Sequence, residues 1–319
     1  MTANLQKPIF QDESKAREWL EARVWPHGPT CPHCGNADPE KITGLKGSAH
    51  RSGLYQCNEP ECREQFTVTV GTVFERSKIP LTKWLAALFL LVSSKKGISA
   101  HQAHRMLDVS YKSTWFMMHR LREAMRTGAL SPLGGEGKVV EADETFIGKL
   151  DGMLRDQKEQ RGGHQSYKNT VLTLVERGGP ARSFHVEGTT VASLIPIIRA
   201  NVARETAMMT DQASWYRNLN KDGEYVSHQT VDHSKEEYVR DGFIHTNTVE
   251  GYYSIFKRGM KGVYQHCAEK HLHRYLAEFD FRYSNRVALG TDDMMRAEKL
   301  AAGIVGKRLT YRRTNEAGL

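Results

Sequence analysis

Four of the five cysteines lie close together near the start of the chain, as the pairs Cys31/Cys34 and Cys57/Cys62. Two pairs of thiolates, each closed by a tight turn, can surround one tetrahedral zinc ion, which would replace the core that so short a segment cannot build. We therefore predict a zinc ribbon over 25–76 that holds one structural Zn²⁺. The stretch QFTVTVGTVF after the second pair alternates like a strand. The alternative is four unligated, buried cysteines.

Charge and apolar content narrow the class of protein. The chain has 319 residues, of which 39% are hydrophobic, enough for two or three domains. Its formal net charge of +8 favours a polyanion such as DNA as the partner. The longest apolar run, Trp84 to Val92, is too short to span a membrane, and the start MTANLQKPIFQDESK has no apolar core like that of a secretory signal. We expect a cytoplasmic, nucleoid-associated protein with no membrane partner.

A helical pattern runs from Leu81 to Met125 in three segments, after a helical segment predicted over 1–24. Ser99 and Ser110 are suitable N-caps for the second and third segments. The short turn DVS before the last helix is typical of a helix-turn-helix, which we predict over 77–130. The residues predicted to face DNA are Tyr111, Lys112, Ser113 and Arg120. The alternative is an ordinary helical bundle with a solvated basic face.

The Pro/Gly-rich stretch SPLGGEGK at 131–138 marks the main domain boundary. After it, three predicted strands, a helix, a fourth strand, a helix, a fifth strand and a further helix follow one another. This order predicts an α/β catalytic domain of the ribonuclease-H-like fold over 135–290, in which the first and fourth strands lie side by side. The connection 148–169 is predicted to be a mobile, DNA-contacting loop or a disordered insertion. A basic C-terminal tail is predicted over 291–319.

Three acidic residues lie at positions that this order of elements would bring together. Asp143 lies in the first strand, Asp211 ends the fourth, and Glu250 lies on the helix after the fifth, so that the three would meet. Glu144, next to Asp143, would face the other side of its strand. Carboxylates are the ligands that suit two Mg²⁺ (or Mn²⁺) ions acting on a phosphodiester. We therefore predict a catalytic site with two metal ions.

The helix with Glu250 carries several polar residues on one stripe. Asn247, Glu250, Ser254 and Lys257 are spaced 3, 4 and 3 residues apart, and so share one face. This helix therefore presents candidate ligands and a basic group together. The alternative is a solvated helix face with a Glu/Lys pair.

The motifs together resemble the ISXO2-like insertion-sequence transposases of bacteria and archaea. The segments that carry the resemblance lie between about residue 20 and residue 286: CPHC and CNEPEC, KGISAHQAHRMLDVSYKSTWFMMHRLR, VEADETFIGK, MTDQASWY, HTNTVEGYYSIFKRGMKGVYQH and KHLHRYLAEFDFRYSNR. The resemblance implies a zinc ribbon, a helix-turn-helix and a DDE-type catalytic domain. It also implies that Asp143 and Asp211 are the first two metal-binding acids and that Lys257 is the downstream lysine.

The third metal ligand has two candidates, because such transposases have either Glu or Asn in this role. Asn247 is separated from Asp211 by 35 residues, a spacing like that of related integrases, whereas Glu250 precedes Lys257 by seven positions. We favour Glu250, because a carboxylate binds Mg²⁺ better than a neutral amide does, and keep Asn247 as the second candidate.

These features predict a DNA transposase that binds the terminal inverted repeats of its element, cleaves there and joins the freed 3′-hydroxyls to target DNA. Arg258 and Lys261 are further candidates for contacts with double-stranded DNA. We expect a homodimer or higher oligomer in the synaptic complex. The alternatives are a zinc-ribbon/helix-turn-helix regulator with an inactive catalytic domain and a structure-specific nuclease of the same fold.

Overall fold

A computed structural model describes residues 4–126, 128, 130–150, 167–221, 223–232 and 239–310. The chain divides into two compact units. The first comprises Met1–Ser94, Ile98–Met125 and Asp292–Leu319, and the second comprises Lys95–Gly97 and Arg126–Thr291. Most of the predicted DNA-contacting loop, 151–166, lies outside the described residues. Within the described ranges, no helix is long and apolar enough to cross a membrane.

The regular elements are numbered along the chain. The α-helices are α1 (Glu13–Val24), α2 (Leu81–Ser93), α3 (Ala100–Leu107), α4 (Tyr111–Met125), α5 (Val191–Asn201), α6 (Asn247–Gly259), α7 (Leu272–Ser284) and α8 (Asp293–Ala302). The β-strands are β1 (Ile42–Leu45), β2 (Leu54–Cys57), β3 (Gln65–Phe66), β4 (Val139–Ile147), β5 (Asn169–Glu176), β6 (Ala181–Val186), β7 (Ala207–Asp211) and β8 (Ser227–Val231).

The first unit contains a small antiparallel sheet in the order β1-β2-β3. Trp25 packs edge-on against Tyr55 and Phe66, with ring centroids 5.4 and 5.8 Å apart. The strand predicted for QFTVTVGTVF is limited to Gln65–Phe66. Beyond Phe66 the chain forms turns, in which the carbonyls of Thr67 and Thr69 accept backbone hydrogen bonds, instead of pairing with a neighbouring strand. Gly71 in these turns has a φ of +71°. The alternation in this stretch therefore reflects burial of valines within turns, not a strand.

The helices of the first unit begin where their capping residues predict. Ser99 Oγ accepts a hydrogen bond from Gln102 N at 3.1 Å, and Ser110 Oγ accepts one from Ser113 N at 3.3 Å. Asp108 ends α3 in the left-handed conformation, with a φ of 48°. Only three residues therefore separate α3 from α4.

The predicted basic tail, 291–319, needs a correction, because it contains α8. The carboxylate of Asp292 caps this helix by accepting a hydrogen bond from Met295 N at 2.8 Å. Leu300 and Ala301 are fully buried, and Arg296 donates to the Val92 carbonyl of α2 at 2.6 Å. The first unit is therefore built from both ends of the chain. Residues 311–319 lie outside the described residues.

The second unit is a mixed α/β domain around one five-stranded sheet, in the order β6-β5-β4-β7-β8. The strands β4, β5 and β6 are antiparallel, whereas β4, β7 and β8 are parallel. The first and fourth strands of the unit, β4 and β7, are neighbours, as the predicted order of elements requires. Buried residues of α5 pack on one face of the sheet, and those of α6 and α7 pack on the other.

One predicted helix of the second unit, at QASWYRNLN, is shorter than expected. Only Ser214–Tyr216 form a single 3₁₀ turn, which is followed by further turns. Tyr216 and Leu219 are nonetheless fully buried in the core beside α5.

Candidate active site

The four predicted zinc ligands come together in the first unit. The sulfur atoms of Cys31 and Cys62 are 3.7 Å apart, as are those of Cys34 and Cys57, and all four lie within 4.8 Å of one another. Four thiolates around a zinc ion at about 2.3 Å would be separated by about 3.8 Å. The donor set therefore fits one tetrahedral Zn²⁺, and the four cysteines would hold it as a structural ion.

Replacing Cys57 with Ser is expected to remove the zinc and unfold the ribbon, because a hydroxyl is a poor zinc ligand and the segment has few apolar residues of its own. Metal analysis of purified wild-type protein should find about one zinc per chain, held through dialysis. Cys267→Ser, which changes a cysteine outside the cluster, is the control and should keep the zinc. Unchanged zinc content in the Cys57→Ser protein would contradict the assignment.

Asp143 and Asp211 lie on neighbouring parallel strands. The last pair in the register of β4 and β7 is Glu141 with Met209, and each aspartate is two residues beyond it. Tyr253 of α6 donates to the backbone carbonyl of Asp143 at 2.5 Å. Asp211 Oδ1 accepts from Ala213 N at 3.0 Å, which closes the turn after β7. The two predicted acids are thus held at one end of adjacent strands.

Electrostatics indicate which charged groups lie near Asp143. The pKa of this carboxyl is raised to about 7, chiefly by burial and also by the charges of Asp211 and Glu250, while the hydrogen bond from Glu144 N and the charge of Lys257 oppose the shift. Burial also lowers the pKa of Lys257, as do the charges of Lys261 and Lys168, whereas Asp143 raises it. Charges act on a pKa in this way only when they lie nearby. Two predicted acids and the predicted lysine therefore lie near Asp143.

Both candidates for the third ligand lie in the first turn of α6. Asn247 is the first residue of the helix, and Glu250 accepts a hydrogen bond from the Thr246 hydroxyl at 3.1 Å. Both side chains are exposed. Among the described residues, only the four cysteines form a group of three or more potential metal ligands whose ligand atoms all lie within 4.8 Å of one another. The acidic side chains therefore lie farther apart than the cysteine side chains do.

Glu144 lies on the opposite face of β4, as the alternation of a strand predicts. Its Oε1 accepts hydrogen bonds from Trp215 Nε1 at 3.0 Å and from the Tyr216 hydroxyl. Burial raises the pKa of Glu144 to about 8. This side chain therefore holds the turn that follows Asp211 against the sheet.

Two charged residues without a role in the sequence analysis, Glu141 and Arg177, meet beside the first turn of α6. Arg177 Nε donates to Glu141 Oε1 at 2.6 Å, and Glu141 has no exposed side-chain surface. The one sign of Glu141's role in the sequence is that a glutamate stands among the apolar residues of a buried strand. Its partner on α6 is 107 residues away in sequence, so spacing could not identify it.

The predicted DNA-contacting residues differ in exposure. Tyr111, Lys112 and Ser113 are exposed at the start of α4, and Arg258 and Lys261 are exposed in the second unit. Arg120 needs a correction: its guanidinium is half-buried and donates to three backbone carbonyls within the first unit. These carbonyls are those of Val73 at 3.1 Å, Glu75 at 2.9 Å and Leu309 at 3.2 Å. Arg120 therefore stabilises the unit.

Comparison with known proteins gives the class of protein to which this arrangement belongs. A transposase zinc-ribbon domain matches residues 11–65, and an ISXO2-like transposase domain matches residues 132–284. An uncharacterised protein of transposable element ISH50 from Halobacterium salinarum is 28% identical over 283 residues, which cover 86% of this chain and 91% of that protein. These matches confirm the resemblance to insertion-sequence transposases, and the match over residues 132–284 is to the ISXO2-like type.

Proposed function

We propose that the protein is a DDE-type transposase that binds the ends of its own element, cleaves the DNA there and joins the freed 3′-hydroxyls to target DNA. The observation that carries this proposal is the meeting of Asp143 and Asp211, on adjacent parallel strands, with the helix of Glu250 on the same face. Joining two ends in one event would use two or more copies of the chain. The proposed oligomer is a homodimer or larger assembly.

The donor set fits divalent cations. Asp143, Asp211 and Glu250 are hard oxygen ligands, and the pKa of Asp143 is raised first by burial and then by the charges of Asp211 and Glu250, both of which a bound cation would offset. Asp143, Asp211 and Glu250 would hold Mg²⁺ or Mn²⁺, with Asn247 as the alternative third ligand. Two such ions, when bound, would activate the attacking water or 3′-hydroxyl and stabilise the leaving oxygen.

The protein's own residues would orient the DNA at this place. The charges of Lys168 and Lys261 act on Lys257, which in turn lies near Asp143, so three ammonium groups lie in the neighbourhood of the acidic residues. Lysines in this position can bind the phosphates on either side of the reacting bond. Tyr253 fixes the Asp143 backbone, which keeps the carboxylate in place while DNA enters.

End recognition is proposed for the first unit, with α3 and α4 as a helix-turn-helix. The support for this proposal is the three-residue connection between the helices and the exposed side chains at the start of α4. In such motifs, the first residues of the second helix contact base edges or phosphates. Tyr111, Lys112 and Ser113 would do so here.

Replacing Lys112 with Ala is expected to weaken binding to element ends about threefold to tenfold at physiological salt, because one phosphate contact is lost. The slope of log affinity against log salt should fall by about 0.9. Fluorescence anisotropy with a labelled terminal repeat measures both. Lys15→Ala on α1, which removes the same charge from an exposed helix of the same unit, is the control. An unchanged affinity and slope for Lys112→Ala would indicate a plain helical bundle.

The experiment that tests the proposed function is a strand-transfer reaction. Purified protein is incubated with labelled element ends, Mg²⁺ and a target plasmid, and the products are separated by size. Covalent joining of the label to the plasmid supports the proposal. Binding without any cleavage would favour a regulator, and cleavage without joining would favour a nuclease.

A further inference from the structure

The first turn of α6 is capped by a residue from the sheet. The Glu141 carboxylate, on β4, accepts four hydrogen bonds and is fully buried. Its donors are Arg177 Nε at 2.6 Å, Thr248 N at 2.8 Å, the Thr248 hydroxyl at 2.8 Å and Val249 N at 2.9 Å. A helix begins with N–H groups that lack partners within the helix. Glu141 satisfies two of them.

The helix has no cap of its own that could replace this contact. Thr246, at the N-cap position, makes no side-chain capping hydrogen bond, and its hydroxyl donates to Glu250 instead. A negative charge near the N-terminus of a helix is also favoured by the helix dipole. The start of α6 therefore depends on a carboxylate that the neighbouring strand supplies.

Arg177, which directly follows β5, completes this arrangement. Its guanidinium donates to the carbonyls of Phe243 at 2.7 Å and His245 at 2.8 Å, in the segment that leads into α6. It also lies 3.0 Å from His245 Nδ1. The buried charge of Glu141 is thus paired, and the chain is held on both sides of the point where the helix begins.

We propose that Glu141 and Arg177 form a helix clamp that sets the position of the third metal ligand relative to Asp143. Glu141 and Asp143 are two residues apart and face the same side of β4, and the residues that Glu141 binds, Thr248 and Val249, lie between Asn247 and Glu250. The clamp joins the strand of the first acid to the helix turn of the third ligand by one side chain. The role of the helix clamp in catalysis rests on the proposed function. Glu141 and Arg177 are positioning residues.

Glu141→Gln tests the helix clamp, because an amide nitrogen cannot accept a hydrogen bond and one or more of the four donors loses its partner. Outer contacts of this kind change metal affinity or activity about 10- to 100-fold. We expect Mn²⁺ to bind about tenfold more weakly in a titration of the full-length protein followed by electron paramagnetic resonance. The rate of end cleavage should fall by about the same factor at fixed Mn²⁺, with end affinity unchanged within about twofold.

Glu176→Gln is the matched control. Glu176 is another buried carboxylate of the same sheet, and it accepts from Gly134 N at 2.9 Å and Lys138 Nζ at 2.8 Å. A general loss of stability would appear in both variants, whereas weaker Mn²⁺ binding should appear in Glu141→Gln alone. Should Glu141→Gln fail to fold, Thr248→Val removes one donor and keeps the carboxylate. It should weaken Mn²⁺ binding about twofold to fivefold.

Hydrogen exchange of peptides covering 244–252 gives a readout that does not depend on activity. These peptides should exchange faster in Glu141→Gln than in the wild type, and Glu176→Gln should leave them unchanged. An inactive wild-type protein would count against the proposed function alone, since exchange and Mn²⁺ binding still decide the inference. Wild-type Mn²⁺ affinity in Glu141→Gln, or in Thr248→Val if that variant alone folds, would overturn it.

Discussion

Replacing Asp143 with Asn is expected to lower both end cleavage and strand transfer by about a thousandfold or more, while end binding stays within about twofold. The amide keeps the shape of the side chain but removes a charge that lies near Asp211, Glu250 and Lys257. Metal ions contribute several kcal/mol of charge stabilisation in such reactions, and about 4 kcal/mol corresponds to a thousandfold change in rate. Single-turnover cleavage of a labelled terminal repeat measures the effect.

Asp211→Asn should lower end cleavage and strand transfer by a similar factor, because both aspartates are held at the same end of adjacent strands. Glu187→Gln is a suitable control, since it removes one negative charge from an exposed position of the same unit. If both aspartate variants retained strand transfer, the catalytic assignment would fail and the regulator alternative would take its place.

Replacing Glu250 with Gln is expected to reduce cleavage and strand transfer by about a hundredfold to a thousandfold, and Asn247→Ala should be the milder change. The charge of Glu250 acts on Asp143, and Thr246 holds one of its oxygens at the first turn of α6. A carboxylate in that position binds a divalent cation far better than an amide does. The two variants are compared in the same single-turnover assay across a range of Mg²⁺ concentrations.

A larger loss of activity in Asn247→Ala than in Glu250→Gln would identify Asn247 as the third ligand. In that case, Asn247→Asp should retain activity or increase it, because it supplies a carboxylate at the ligand position. Such a result would revise the ligand set of the proposed site while leaving Asp143 and Asp211 in place.

Features that depend on short spacings could be predicted from the sequence. The two cysteine pairs predicted the sulfur cluster, and Ser99 and Ser110 predicted the starts of α3 and α4. The order of strands and helices also predicted that β4 and β7 are neighbours. In each case, local geometry or chain connectivity determines the outcome.

Features that depend on distant partners could not be predicted in this way. Arg120 has the sequence context of an exposed basic residue on a helix, yet backbone carbonyls from residues 73, 75 and 309 surround it. Glu141 has the context of an ordinary strand residue, yet it caps a helix more than 100 positions away. Valines on alternate positions predicted a strand at 65–74, where buried turns have the same pattern. Tertiary contacts decide all three.

The strand-transfer reaction of wild-type protein beside Asp143→Asn is the most decisive experiment on the proposed catalytic site. We expect labelled element ends to become covalently joined to the target plasmid in the presence of Mg²⁺, and a chelator or the Asp143→Asn substitution to abolish the joined product. Tight end binding without joined product in the wild type, or joined product that persists in Asp143→Asn, would contradict the proposed catalytic site.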